Sequence, residues 1–392
     1  MNHRKQVVRG AMLASVAAGA CLALPTSGLG AVAAVEDDRI INVSPDGVEN
    51  RVKLIAGTGA KVSMIDIFWS AVAPTKPRNA ARHTDPAYNW GLIDAMAIEM
   101  KRRKITPIVS VYSTPTWANG NRQAPCLNNI SPCARSAYNP YAPLKPADFG
   151  RFMRAAATRY NGKQFVRYEG KRTKLPKLSH WEIWNEPNLK SFFRKRNNRS
   201  SLATYGAMVR AAYPQVKRAN RRAIVIAGAT GPRSTTGNGN IGARAWMNGL
   251  MRQRKTRFDA YSQHIYPAAA PNRRTRAFPS WASLPEIFRS VDRKRKGMPV
   301  YITEASYTTA KTPFRNVAVT PRQQRAYMRQ IFRLPTVRSS RVPVIMWFNL
   351  QDNRFWPGGL YRENLRKKPS YAAFRSIARK PLTRSQRSQL IR

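Results

Sequence analysis

The sequence predicts a single-domain α/β fold, a (β/α)8 TIM barrel. Three observations predict it. Apolar, β-branched runs alternate with stretches of helical spacing over about 340 residues. The alternation shows no internal repeat and no long linker, and 392 residues suffice to bury one large core. The Gly-rich turn that an open, doubly wound sheet carries after its first strand is missing.

The elements follow in order. A first strand is expected near residues 39–43, then a helix over 48–57. Val62-Ser-Met-Ile-Asp-Ile-Phe68 reads as a buried strand. Residues 91–103 place Leu92, Ala95, Met96 and Met100 on one helical face, and residues 106–112 give the next strand. A proline opens the helix over 146–160, and a strand follows at 179–185. After a helix over 202–219, Ala223-Ile-Val-Ile-Ala-Gly228 is the plainest buried strand. Strands are then expected at 258–264, 299–304 and 343–348, and helices at 284–295, 321–332 and 371–379.

The charge balance is extreme. Sixty-nine Lys and Arg face 19 Asp and Glu, a net charge of +50. Such a surface favours polyanions, and an anionic cell-wall polymer is an expected partner. Specific nucleic-acid binding is not expected, because the cations are spread over every helix rather than gathered in one stripe. No apolar run reaches the length of a membrane span. The N-terminus has the pattern of a secretory leader: Arg4, Lys5 and Arg9, an apolar stretch over 11–24, and the small-x-small site Ala31-Val32-Ala33. The expected division is a leader over 1–33, the barrel over 34–380 and a basic tail over 381–392, in a protein that is secreted or held at the cell envelope. Cys126 and Cys133, six apart beyond the leader, are expected to form a disulfide. His83, His180 and His264 show no ligand spacing, so neither a metal nor an organic cofactor is expected.

Against so few acids, two glutamates stand out. Catalytic side chains of a barrel sit at the C-terminal ends of its strands. Glu186 closes His180-Trp-Glu-Ile-Trp-Asn-Glu186, the fourth predicted strand, and Glu304 closes Pro299-Val-Tyr-Ile-Thr-Glu304, the seventh. Two carboxyls across a concave mouth suit glycosidic bond cleavage, one as proton donor and the other at the anomeric carbon.

Trp184-Asn-Glu-Pro-Asn188 on strand four, with Glu304 ending strand seven, resembles glycoside hydrolase clan A, in the neighbourhood of families 5 and 39. Trp69 after strand two, Thr114-Pro-Thr-Trp-Ala118 after strand three, His264-Ile-Tyr266 ending strand six and Trp347 ending strand eight extend the resemblance over most of the chain. The resemblance implies a retaining O-glycosidase acting on β-linked oligo- or polysaccharide through a glycosyl-enzyme. Glu186 would be the acid/base and Glu304 the nucleophile. Asn185 would bond the sugar 2-hydroxyl, Tyr266 would donate to Glu304, His264 would line the floor, and Trp347 would be the stacking platform. Trp117 is a second candidate platform, while Trp356 reads as core and Glu182 as structural. The division of labour calls for a raised pKa at Glu186 and a low one at Glu304.

One position departs from the clan. Two residues before Asp66 the clan has an arginine that supports the nucleophile, and this chain has Met64. That departure keeps a second reading in view, a weakly active or inactive barrel that binds carbohydrate or the anionic cell envelope.

Overall fold

The computed structural model describes Met1 and residues 30–123, 138–195, 200–273 and 275–390. Cys126 and Cys133, and most of the expected leader, lie outside the described residues. Eight parallel strands form a nearly closed barrel. In chain order the elements are β1 (Val32–Glu36), α1 (Val48–Gly57), β2 (Val62–Phe68), α2 (Trp69–Val72), α3 (Gly91–Arg102), β3 (Thr106–Tyr112), α4 (Thr116–Asn119) and α5 (Pro146–Arg159). There follow β4 (Phe165–Tyr168), β5 (Lys171–Lys174), β6 (His180–Ile183), α6 (Ser201–Ala219), β7 (Ile224–Thr230) and α7 (Ala243–Arg252). The chain ends with β8 (Ala260–Ile265), α8 (Leu284–Asp292), β9 (Val300–Ala305), α9 (Pro321–Ile331), β10 (Val344–Phe348), α10 (Pro369–Ala378) and α11 (Arg384–Leu390). Strands β4 and β5 pair as an antiparallel hairpin outside the barrel. The fourth and seventh barrel strands are therefore β6 and β9.

The first strand corrects the sequence reading. It is Val32–Glu36, paired along its length with β10, not residues 39–43. The small-residue run taken as the end of a leader is thus barrel wall, and the barrel begins two residues before the expected boundary. A strand buried on both faces is a near-continuous apolar run, which composition does not separate from a leader's end. The seam between β1 and β2 lacks a ladder and is bridged by Ser63, whose hydroxyl donates to the Val35 carbonyl at 2.6 Å. Helix α7 was also missed, although Ala243, Trp246, Met247 and Leu250 have helical spacing and are buried.

The barrel interior is layered. At the N-terminal end, Val32, Val62, Met64, Ile108, Ile226 and Val344 form a small apolar cluster with their neighbours. The segment expected to be only a basic tail caps this layer: Leu390 of α11, 2% exposed, packs into the cluster. The Gln389 carbonyl lies 3.0 Å from His180 Nε2. The middle layer is polar, with Ser110, Glu182, Ser262 and Thr303 all buried. Thr303 Oγ1 donates to Glu182 at 3.0 Å, which fits the structural role expected of Glu182. The chemistry lies above it.

Candidate active site

The C-terminal mouth gathers most of the residues the sequence pointed to. Glu186 lies three residues past β6, where the strand conformation is broken. Trp184 and Glu186 both have positive φ, +67° and +42°. Such conformations cost energy in non-glycine residues and collect at functional sites. Backbone bonds hold them: the Trp184 N–H donates to the Val111 carbonyl and the Glu186 N–H to the Ala229 carbonyl, each at 2.9 Å. Asn188 latches the turn to the end of β7, donating to the Gly231 and Ile241 carbonyls and accepting from the Gly231 N–H at 2.8 Å.

Gly231 gives the carboxyl its room. A Cβ there would stand 2.9 Å from Glu186 Cδ and 2.7 Å from Leu189 Cδ1. Gly231→Ala should leave the melting temperature nearly unchanged but displace Glu186, lowering kcat by up to about 10²-fold, the cost of a misplacement near 1 Å. Parallel thermal melts and kcat measurements check this.

Glu304 reaches the mouth by another device. Between Tyr301 and Glu304, β9 spans three residues where β8 spans two, a bulge that turns Glu304 to the interior beside His264. His264 Nδ1 lies 2.9 Å from Glu186 Oε1 and 3.4 Å from Glu304 Oε2. Tyr266 donates its hydroxyl to Glu304 Oε2 at 2.5 Å. One donor atom from each of Glu186, His264 and Glu304 falls within 4.8 Å of the others, a grouping compact enough to hold a divalent metal as well. That possibility was not seen in the sequence, where the three residues are far apart.

The electrostatics depart from expectation at Glu304. Burial pushes Glu186 up to about 8. Burial also pushes Glu304 up to about 8, despite the opposing pull of His264 and the Tyr266 hydrogen bond. The low value expected for Glu304 through hydrogen bonds is not reached with the one bond from Tyr266. Met64 lies in the apolar layer below, and the side chain at the level of the glutamates is Asp66, which raises Glu304 further. Desolvation likewise carries Asp66 to about 7 and Asp38 to about 6.

Two aromatic assignments are corrected. Trp347 is not a platform: it is 1% exposed, belongs to the outer core between strands and helices, and donates its indole N–H to the Gly358 carbonyl. Its neighbour Phe348, in register with Glu36, has the inward parity. Phe348, Tyr266 and Trp356 form an edge-to-face cluster with centroids 4.6–6.3 Å apart. Trp356, expected to be core, is only half-buried there. Trp117 is half-buried, packs edge-on against the fully buried Trp69 and donates to the Ala73 carbonyl, so its contacts are those of a core residue. Asn185 is half-buried beside Glu186.

The chain is similar in structure to a family 39 glycoside hydrolase from Bacteroides cellulosilyticus, at 17% identity and a TM-score of 0.58, covering 88% of this chain and 63% of that one. It is similar to a monomeric β-xylosidase from Caulobacter crescentus, at 16% identity and a TM-score of 0.59, covering 90% of this chain and 68% of that one. It is also similar to a family 5 glycoside hydrolase variant from Bifidobacterium longum solved with Manβ1-4GlcNAc, at 14% identity and a TM-score of 0.57, covering 89% of this chain and 78% of that one. This chain thus spans under two thirds of the first enzyme's length. At these identities the likeness establishes the fold, a (β/α)8 barrel. No protein-family model and no curated protein matches the chain.

Proposed function

We propose that the protein is a retaining glycosidase that hydrolyses β-linked sugars by double displacement. The observation that carries this reading is the placement of Glu186 and Glu304 on either side of His264, with donor atoms within 4.8 Å. An inverting enzyme needs its carboxyls about 6.5–9.5 Å apart to admit a water, whereas a retaining one needs about 5–5.5 Å. Environment assigns the roles. Glu186, buried with no cation to ionise it, keeps its proton for the leaving oxygen. Glu304 receives the Tyr266 hydroxyl, which favours its ionised form and aims it at the anomeric carbon. The glycosyl–Glu304 ester then forms as the leaving group departs with the Glu186 proton. Glu186, now ionised, takes a proton from water, which attacks the anomeric carbon and frees Glu304. Phe348 and Trp356 offer ring faces to the sugar.

The basic N-terminal flank and apolar stretch over 11–24 support export, with the leader ending before Val32 so that β1 stays whole. The +50 charge supports retention on an anionic envelope polymer.

The test is hydrolysis of aryl β-xyloside, glucoside, galactoside, mannoside and glucuronide from pH 5 to 9. Glu304 must be ionised and Glu186 protonated, and both titrate near 8. Maximal kcat/KM is therefore expected between about pH 7 and 8.5, well above the range of ordinary carboxyl pairs. The raised Glu304 is also what favours a purely binding barrel, and silence over the whole panel and pH range would favour that reading.

A further inference from the structure

We infer that the sugar taken into the barrel mouth carries a protonated amine, received by the carboxyl groups of Glu36 and Asp66. This rests on the reading of the mouth as a sugar site and goes on to name the class of sugar.

Eleven of the 19 carboxyl groups pair with a Lys or Arg. Six of the remainder, Glu36, Asp38, Asp66, Glu182, Glu186 and Glu304, line the inside or rim of the barrel. Among the described residues none of the six pairs with a Lys or Arg, although the chain has 69 to offer. Composition alone would put cations everywhere, so six acids without a Lys or Arg partner are a local feature; Arg315 at the rim donates instead to the Tyr266 and Pro267 carbonyls.

Glu182 is spent on Thr303, Glu186 and Glu304 share His264, and Asp38 accepts from Asn353. Glu36 and Asp66 are left. Asp66 lies close enough to Glu36 to raise it further, and Tyr112 stands near Asp66. Glu36 is 6% exposed, and its Oε2 has no hydrogen-bond partner. It ends β1 in register with the inward-facing Phe348, and Asp66, Glu304, Asp38 and Glu182 all act on it. A buried carboxylate oxygen without a donor is costly. Burial holds Glu36 protonated in the substrate-free mouth; an ammonium would favour its ionised form, supplying both a donor and a counter-charge, whereas a sugar hydroxyl supplies only the donor. Asp66 and Glu304 are partly exposed, so the group is reachable from the mouth.

The test uses the full chain at about 150 mM salt, where surface charge is screened beyond roughly 8 Å. Turnover of a fully deacetylated β-1,4-glucosamine tetramer is compared with that of its N-acetylated form and of the β-1,4-glucose tetramer. We expect kcat/KM to favour the amine at least about tenfold, the scale of one charge-assisted hydrogen bond. Glu36→Gln and Asp66→Asn, both near-isosteric, should bring the ratio toward one. Titration calorimetry of Glu186→Gln with the glucosamine tetramer, in buffers of different ionisation enthalpy, should show proton release from the Glu36–Asp66 pair. A merely structural pair would not give that signature. Cleavage of the neutral tetramer without gain from the amine overturns the inference and leaves the glycosidase reading intact. Tight amine binding without turnover by wild type supports the inference and overturns the catalytic reading. Zinc or calcium binding at the mouth without amine binding, or no interaction with any glucosamine oligomer, overturns the inference.

Discussion

Glu304→Ala removes turnover of aryl β-glycosides by at least about 10⁴-fold, the scale on which loss of a covalent nucleophile is felt. Two further features should separate this from unfolding. The variant stays folded, because Glu304 is held by burial at a raised pKa and its removal relieves repulsion with Glu186 and Asp66. Azide restores part of the rate, since truncation opens space between the Tyr266 hydroxyl and His264 Nδ1, which lie 2.5 and 3.4 Å from the lost carboxylate. Glu186→Ala should instead spare substrates with good leaving groups in the first step and slow the second. Rates measured with and without azide check all three. Activity of Glu304→Ala equal to wild type would remove the nucleophile from Glu304.

The second large effect concerns stability. Most proteins gain stability as pH rises from 5 toward neutrality. The substrate-free barrel should lose it. The folded values of Asp38, Asp66, Glu186 and Glu304 are raised to between about 6 and 8. Between pH 5 and 8 the folded state therefore binds more protons than the unfolded chain, and the unfolding free energy falls with pH. Stability from these groups is fully present below about pH 4 and is lost as pH rises through 6 to 8. Carboxyls with lowered values, such as Glu49 and Asp292, act only below this window. We expect the melting temperature to fall from pH 5 to pH 8. Asp66→Asn should flatten the slope. Thermal melts at the two pH values decide it, and a melting temperature that rises with pH would contradict the buried, unpaired state of the cluster.

What the sequence made legible follows from what it encodes locally. The apolar run ending at Gly228 and the proline openings of α5 and α9 are local signals, and they placed those elements to within about two residues. The Asn-Glu-Pro turn and Glu304 stood out because acids are rare in this chain. Features that depend on register were hidden. In a strand buried on both faces, alternation carries no polarity, so the sequence does not show that Phe348 rather than the expected Trp347 faces the mouth. The β9 bulge that turns Glu304 inward leaves no mark in composition. Helix α11 has a single buried residue, Leu390, amid polar neighbours, and so read as a tail. The cluster of unpaired acids is not legible because Glu36 precedes the expected first strand at 39–43 and nothing local marks it as facing the mouth. Only closure of the sheet brings β1 and β2 to the side of Glu304.

The most direct test of the central claim is to trap the intermediate. Wild-type protein is incubated with the 2-deoxy-2-fluoro-β-glycosyl fluoride of the sugar that the panel selects, digested with protease and mapped by mass spectrometry. A stoichiometric adduct of one fluorosugar on the peptide containing Glu304, absent from Glu304→Gln, is the predicted result. A label on another residue, or turnover of the aryl glycoside with an α-configured first product by NMR, would contradict the mechanism.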